Sequence, residues 1–252
     1  MFKLIVAYDG TEFSGWQRQR SQRTVQGAVE QAWCEITGEE VSVTASGRTD
    51  AGVHAVGQVV GVASDCPFSC QQIRSGLNAK LPDDVVVLCV ENAPDGFHAT
   101  NDAKSKHYRY LIHNDRRPPL FDRRYVWHVP GPLDVDAMHS AAQALLGRHD
   151  FASLQSAGSP RESTVRTIFD VSVDRAGPAS LDQPWVDSRV SIDVVGDGFL
   201  YNMVRTIAGT LVRVGQGRRP EDWIEEVLGS RDRRAAGQTA PAQGLSLVSV
   251  EY

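Results

Sequence analysis

The apolar residues of the first half of the chain switch between a period of about 3.6 and a period of two. The order of those switches restricts the fold more than any other feature. Phe2 to Tyr8 is a short apolar run closed by Asp9-Gly10, a strand-and-turn signal. Thr24 is placed to cap a helix whose apolar positions are Val25, Val29, Ala32, Trp33 and Ile36, stopped by Gly38. Val41 to Ala45 alternates as a strand, and Val56 to Ala63 reads as a second one. Ser69 to Leu81 carries Ile73, Leu77 and Leu81 at helical spacing before Pro82. Val85 to Val90 is a continuous apolar run, which predicts a buried strand. The resulting order, β-α-β-β-α-β, is the split βαβ or ferredoxin-like arrangement.

The second half repeats the topology without repeating the sequence. His107 to His113 alternates as a strand, and Asp134 caps a helix through Val135, Met138, Ala142, Leu145 and Leu146 that stops at Gly147. Val165 to Val173 and Val186 to Val195 read as paired strands joined by a loop from Ala176 to Pro184. Phe199 to Val214 reads as helical, Pro220 opens another helix to Leu228, and Leu245 to Val250 closes the chain as a strand. Pro118-Pro119 marks the linker region. The expectation is an α+β protein of two ferredoxin-like halves, residues 1–104 and 105–252, side by side as an extended, mainly antiparallel sheet with a cleft between them.

The net charge of −5 argues against nonspecific polyanion binding as the whole task, so local distribution matters more. Arg18, Arg20 and Arg23 fall in an acid-free stretch from Trp16 to Thr24. Between Lys104 and Arg124 stand Lys104, Lys106, Arg109, Arg116, Arg117, Arg123 and Arg124, against Asp115 and Asp122 only. Interleaved with Trp16, Tyr108, Tyr110, Phe121, Tyr125 and Trp127, these runs fit a nucleic-acid surface better than two solvated charged faces. Cys34, Cys66, Cys70 and Cys89 read as reduced thiols in a cytoplasmic chain, with no leader and no apolar stretch long enough for a membrane span. Cys66 and Cys70 lack a second ligand pair at zinc spacing, so no metal is expected.

The chemistry concentrates in Gly47-Arg48-Thr49-Asp50-Ala51-Gly52-Val53-His54-Ala55. A lone aspartate in a loop is ordinarily a turn former. Here Arg48 stands two positions away, near enough in a tight turn to hold the carboxylate ionised. Gly47 and Gly52 permit backbone geometries that bring main chain against a substrate. A permanently charged carboxylate in such a loop suits covalent or electrostatic work at a carbon centre better than proton donation.

This stretch resembles the catalytic-aspartate signature of the TruA-type tRNA pseudouridine synthases. The resemblance extends over nearly the whole chain. Tyr8-Asp9-Gly10-Thr11 and Gly15-Trp16-Gln17-Arg18-Gln19 look like the family's opening segment, whose polar residues meet RNA. Val25-Gln26-Gly27 looks like its first-helix start, and Gly57-Gln58-Val59-Val60 like the strand supporting the active loop. Phe97-His98-Ala99 and Lys106-His107-Tyr108-Arg109-Tyr110 resemble the second motif, and Gly198-Phe199-Leu200-Tyr201-Asn202-Met203-Val204-Arg205 the third. Thr100-Asn101 departs from the family's usual arginine and apolar residue. Gly147-Arg148-His149-Asp150-Phe151 also matches, and His149 is read as a structural histidine.

The resemblance implies a sheet with helices on one face and a central active-site cleft. It implies isomerisation of uridine to pseudouridine in the anticodon stem-loop of tRNA, at positions 38–40, by a cytoplasmic homodimer that uses no cofactor and no metal. Asp50, Arg48 and Arg205 are the implied catalytic group. Tyr108 is implied to stack on the target uracil, while Tyr110 packs. Arg18, Arg20, Gln17, His54 and Lys106 are implied to meet substrate. Asp50 either attacks C1′ or removes the C2′ proton. A non-catalytic ferredoxin-like RNA-binding module is the rival from another class, and it has no use for an ionised carboxylate facing RNA. An aspartate-based hydrolase is a second, but no further acid or metal cluster stands near Asp50 in sequence.

Overall fold

A computed structural model describes residues 1–158, 163–175 and 188–252. Two compact units divide the chain: Met1–Lys106 with Ser246–Tyr252, and His107–Leu245. Both mix strands with helices, and most strand pairs are antiparallel, so the fold is α+β.

In the first unit β1, Phe2–Tyr8, buries every second residue, as its period-two pattern requires. It pairs antiparallel with β3, His54–Val62, on one side and with β4, Val85–Asn92, on the other. A short β2, Thr44–Ala45, also pairs with β3, so only the end of the run from Val41 becomes strand. The register of β1 against β3 shifts between Val6 and Tyr8, a bulge that turns the chain into Asp9-Gly10.

Helix α1, Val25–Thr37, begins where the Thr24 hydroxyl accepts from the Gly27 amide and ends on Gly38 at φ 76°. Helix α2, Cys70–Lys80, opens with a reciprocal capping box between Ser69 and Gln72 and packs on β4. The run Val85–Val90 is not buried on both faces. It alternates, with Val86 and Leu88 exposed, so continuous hydrophobicity overstated its burial. The closing strand, β10, Leu245–Glu251, runs parallel to β3 through Ser246 and Leu247. The last strand of the sequence thus completes the sheet of the first unit.

In the second unit the sheet order is β5, Ser105–His113; β9, Arg189–Gly196; β8, Val165–Arg175; and β7, Gly147–Asp150. Ser105 and Lys106 open β5 from within the first unit. A two-residue β6, Trp127–His128, lies parallel to the end of β5. Neither β6 nor β7 is visible in the sequence pattern, because each is too short to show a period. The Ala176-to-Pro184 loop lies outside the described residues, as does the start of the strand expected from Val186.

Helix α3, Val135–Ala142, is capped by Asp134 and tightens into a 3-10 turn over Gln143–Leu145 before Gly147. Helix α4 spans Met203–Gly215, not Phe199–Val214. Asn202 takes a left-handed φ of 61°, which keeps Gly198–Asn202 outside the helix although its apolar spacing matched one. Helix α5, Trp223–Ser230, follows and packs against α3.

Candidate active site

Asp50 sits half-buried in the loop between β2 and β3, and that loop is held from several directions within the first unit. Its backbone is pinned at Thr49, whose carbonyl accepts from the Trp16 amide at 3.0 Å. The Val53 amide donates back to the Asp50 carbonyl at 3.1 Å, closing the turn, and Gly52 supplies φ 77°. Two further glycines let other backbone approach. A side chain at Gly15 would lie 2.8 Å from the Thr49 carbonyl, and one at Gly10 would lie 2.0 Å from that of Val53. The Tyr8–Asp9–Gly10 turn and the Gly15–Trp16 segment therefore form a fixed wall against the loop.

Beneath the loop lies a buried polar network. The Tyr8 hydroxyl bonds the Thr49 hydroxyl at 2.7 Å and accepts from Gln58 Nε2 at 3.4 Å. The same Gln58 nitrogen donates to the Gly47 carbonyl at 2.9 Å, and Gln58 Oε1 accepts from the Ser46 hydroxyl at 2.7 Å. Ser46 and Gln58 are fully buried. Burial pushes the Tyr8 phenol up to about 12, partly offset by its bonds to Thr49 and Gln58, so it stays protonated. Lys106 reaches the same place from the start of β5 and donates to the Ser46 carbonyl at 2.7 Å.

His54 is buried at the far end of the loop. Its Nδ1 lies 3.0 Å from the Gly10 amide, an obligatory donor, and 3.1 Å from Asp9 Oδ1. Nδ1 is therefore an acceptor, and Asp9 Oδ1 takes the Thr11 amide and hydroxyl instead. The histidine joins the turn wall to the strand. Arg48 is exposed on the same loop.

The Gln17–Arg18 segment is built on α1. Gln26 Oε1 accepts from the Gln17 side chain and from the Arg18 amide, each at 2.9 Å. Gln26 Nε2 donates to the buried Glu30 carboxylate at 2.8 Å, which also takes the Val43 amide at 3.1 Å. Arg18 Nη1 lies 3.2 Å from Glu30, leaving most of the guanidinium side chain in solvent. Arg20 is exposed, while Arg23 is committed to Asp84 through two 2.7 Å bonds and stacks over Phe13. Of the three arginines in that run, Arg18 and Arg20 present charge outward. The pairing of Gln26 with Glu30, polar residues one turn apart on an otherwise apolar face, was the signal that could have revealed this network.

In the second unit Tyr108 is buried on β5, with its ring edge-on to Phe199 at 5.1 Å. Tyr110 is fully buried, donates to the Pro241 carbonyl at 2.8 Å and meets Trp127 edge-on. Burial raises its phenol pKa strongly, partly offset by the charge of Arg205. Arg205 is half-buried on α4 and donates to Asn202 Oδ1 at 2.6 Å and to the Ala240 carbonyl at 2.7 Å. Ala240 is brought there by the close approach of Gly209 to the Gln238 carbonyl, where a Cβ would stand at 1.8 Å. Thr100, where the family pattern breaks, gives its hydroxyl to the Ala45 carbonyl at 2.7 Å and thus helps hold β2.

The aromatic residues of the basic runs divide sharply. Trp16, Tyr108 and Tyr110 are buried, whereas Phe121 and Tyr125 are exposed, with Leu120 beside them. Several charges of the Lys104–Arg124 run are spent internally. Arg109 and His107 both bond Asp193, and Arg117 pairs with Asp115. The Arg117 guanidinium holds the Asp115 carboxyl down to about 2.

Both units are α+β, and the first carries the braced polar loop at Asp50. A family model described as tRNA pseudouridine synthase matches residues 4–102 and 141–252. The chain is 48% identical over 250 residues to tRNA pseudouridine synthase A of Brevibacillus brevis, covering 99% of this chain and 98% of that protein. The protein of the same name from Acetivibrio thermocellus is 44% identical over 250 residues, with the same coverage. That from Methylobacterium radiotolerans is 42% identical over 252 residues, covering 100% of this chain and 97% of the relative. The chain belongs to the tRNA pseudouridine synthase family. Among the described residues, no helix is long and apolar enough to cross a membrane.

Proposed function

We propose that this chain isomerises uridine to pseudouridine in the anticodon stem-loop of tRNA, with Asp50 as the group that starts the reaction. Family membership, with relatives named tRNA pseudouridine synthase A along the full length, makes it an isomerase acting on tRNA uridine. The observation that carries the assignment of Asp50 is its loop, braced by the Tyr8–Thr49 and Gln58–Gly47 bonds, by the Trp16 amide on Thr49 and by the close approaches at Gly10 and Gly15.

The reaction breaks the C1′–N1 bond, turns the base over and joins C5 to C1′. The C5 proton is lost and N1 gains one, so atoms and oxidation state are conserved and no redox partner enters. The nucleotide must leave the stack, which costs a few kcal/mol. Stacking of Tyr108 on the exposed base offsets about 1–3 kcal/mol of that. Asp50 then either attacks C1′ or removes the C2′ proton. Arg48 and Arg205 keep it ionised and aimed, and Arg18, Arg20, Gln17, His54 and Lys106 serve substrate binding, directly or by holding the loop. A cytoplasmic homodimer completes the reading.

The test is incubation of purified protein with unmodified tRNA, followed by mapping of pseudouridine. New pseudouridine in the anticodon stem-loop is expected. Modification confined to another part of the tRNA would overturn the site, and none at all would overturn the reading.

A further inference from the structure

Tyr8 and Gln58 occupy places in the core of the first unit that apolar residues would fill at less risk. Both lie on strands whose inward neighbours are Leu4, Val6, Val59, Val60 and Val62, and Gln58 is 0% exposed. A buried polar group left without a partner is destabilising, so such residues persist where their bonds set a geometry. Here every bond of the pair ends on the loop that carries Asp50. Gln58 holds the Gly47 carbonyl and the Ser46 hydroxyl at the loop's entrance. Its amide also donates to Tyr8, whose hydroxyl shares a hydrogen bond with that of Thr49, the residue immediately before Asp50. Gln58, Tyr8 and Thr49 thus form one buried chain of hydrogen bonds that runs from the strand to the loop.

We propose that Tyr8 and Gln58 are positioning residues for Asp50, acting through the Thr49 hydroxyl and the Gly47 carbonyl. The inference rests on the catalytic role given to Asp50 above. Tyr8, Thr49 and Gln58 are all buried, so they act on the loop and do not touch RNA through any exposed surface. The Thr49 side chain and the Thr49 carbonyl, held by the Trp16 amide, fix the backbone on two sides at the point where Asp50 leaves it. Displacing a reacting group by about 1 Å is worth about a hundredfold in rate.

The experiment separates positioning from packing. Tyr8→Phe takes the Thr49 hydroxyl's partner away and Thr49→Val leaves the Tyr8 hydroxyl with Gln58 alone, whereas the double variant removes both hydroxyls and restores an apolar contact of nearly the same shape. Melting temperature, kcat and KM are measured on wild type, both single variants, the double variant and Thr49→Ser. Tyr8→Phe and Thr49→Val are expected to lower kcat about ten- to a hundredfold with KM for tRNA unchanged. In the double variant the melting temperature returns toward wild type while kcat stays low. Thr49→Ser, which keeps the hydroxyl, retains near-wild-type kcat. A double variant with wild-type kcat would overturn the proposal, as would a loss that appears in KM alone. Should the double variant not fold, the kcat and KM of Thr49→Val decide the matter by the same criteria. Asp50→Asn serves as the control. If it is inactive while the double variant is fully active, positioning fails and the role of Asp50 stands. If Asp50→Asn turns over, the assignment of Asp50 fails and this inference with it.

Discussion

The loop around Asp50 and the segment from Asp115 to Tyr125 are both irregular and both carry arginines, yet they are built on opposite principles. The Asp50 loop is braced from behind by buried hydroxyls and amides and walled by two glycine-permitted backbone approaches. The second segment has its side chains outside, with Leu120 68%, Phe121 67% and Tyr125 44% exposed, and its charges are partly spent on neighbours. Chemistry at a carbon centre needs an atom held in place, and that is achieved with bonds no solvent can compete for. Docking to a phosphate backbone needs charge within reach of solvent, where precise placement matters less.

The contrast is broken most severely by filling the glycine wall. Gly15→Ala puts a side chain at φ 91° and against the Thr49 carbonyl, so strain of about 1–3 kcal/mol is expected together with displacement of the loop. Activity should fall about a hundredfold, and thermal melting should show the lost stability. Wild-type turnover in this variant would mean the loop is not held by that approach.

Next in size is the pair Tyr108→Phe and Tyr108→Leu. Stacking uses the ring face, so the Phe variant should keep most of the activity and the Leu variant should lose about tenfold or more in kcat/KM. The edge contact with Phe199 makes packing a competing role, and equal activities for the two variants would favour it.

A smaller effect is expected from neutralising Arg18 and Arg20 together. Affinity for tRNA should drop, and the slope of log affinity against log salt should become shallower by about one to two units. Saturating RNA should restore turnover. An unchanged salt slope would show that the outward charge of this run does not meet phosphate.

The smallest concerns pH. Burial lowers the His113 pKa from 6.5, opposed by the Arg117 carbonyl it faces and reinforced by His128. The unfolded chain binds that proton first, so the histidine's contribution is intact above about pH 6.5 and is lost as pH falls through the folded value. Melting temperature should decline on acidification through that window, and less so in His113→Gln. Identical profiles for the two proteins would remove His113 as the cause.

The same contrast governs what the sequence alone made legible. Helix α1 could be read to the residue because its signals are local, a threonine cap and a glycine stop. The Asp50 loop could be read because its nine residues form a contiguous signature. Gln58 is legible only as part of a supporting strand and Glu30 not at all, since the bonds each makes depend on a partner distant in the chain or on a burial that no period announces. Charge counting overstated the basic runs for the same reason. Asp84 and Asp193, which take up Arg23 and Arg109, lie 61 and 84 positions away. Apolar spacing starts α4 too early because a left-handed Asn202 leaves no mark in it. Sequence order places the closing strand with the second half, but its pairing with β3 joins Ser246 to His54, far apart in the chain.

The most direct measurement of the central claim compares Asp50→Asn with wild type on one unmodified tRNA, scoring pseudouridine formed and binding affinity in the same buffer. The substitution keeps the shape of the side chain and removes its charge. Turnover should vanish while affinity stays within about tenfold, or 1.4 kcal/mol, of wild type. Substantial pseudouridine formation by the Asn variant would contradict the account, because a loop braced to hold a carboxylate would then be doing its work without one.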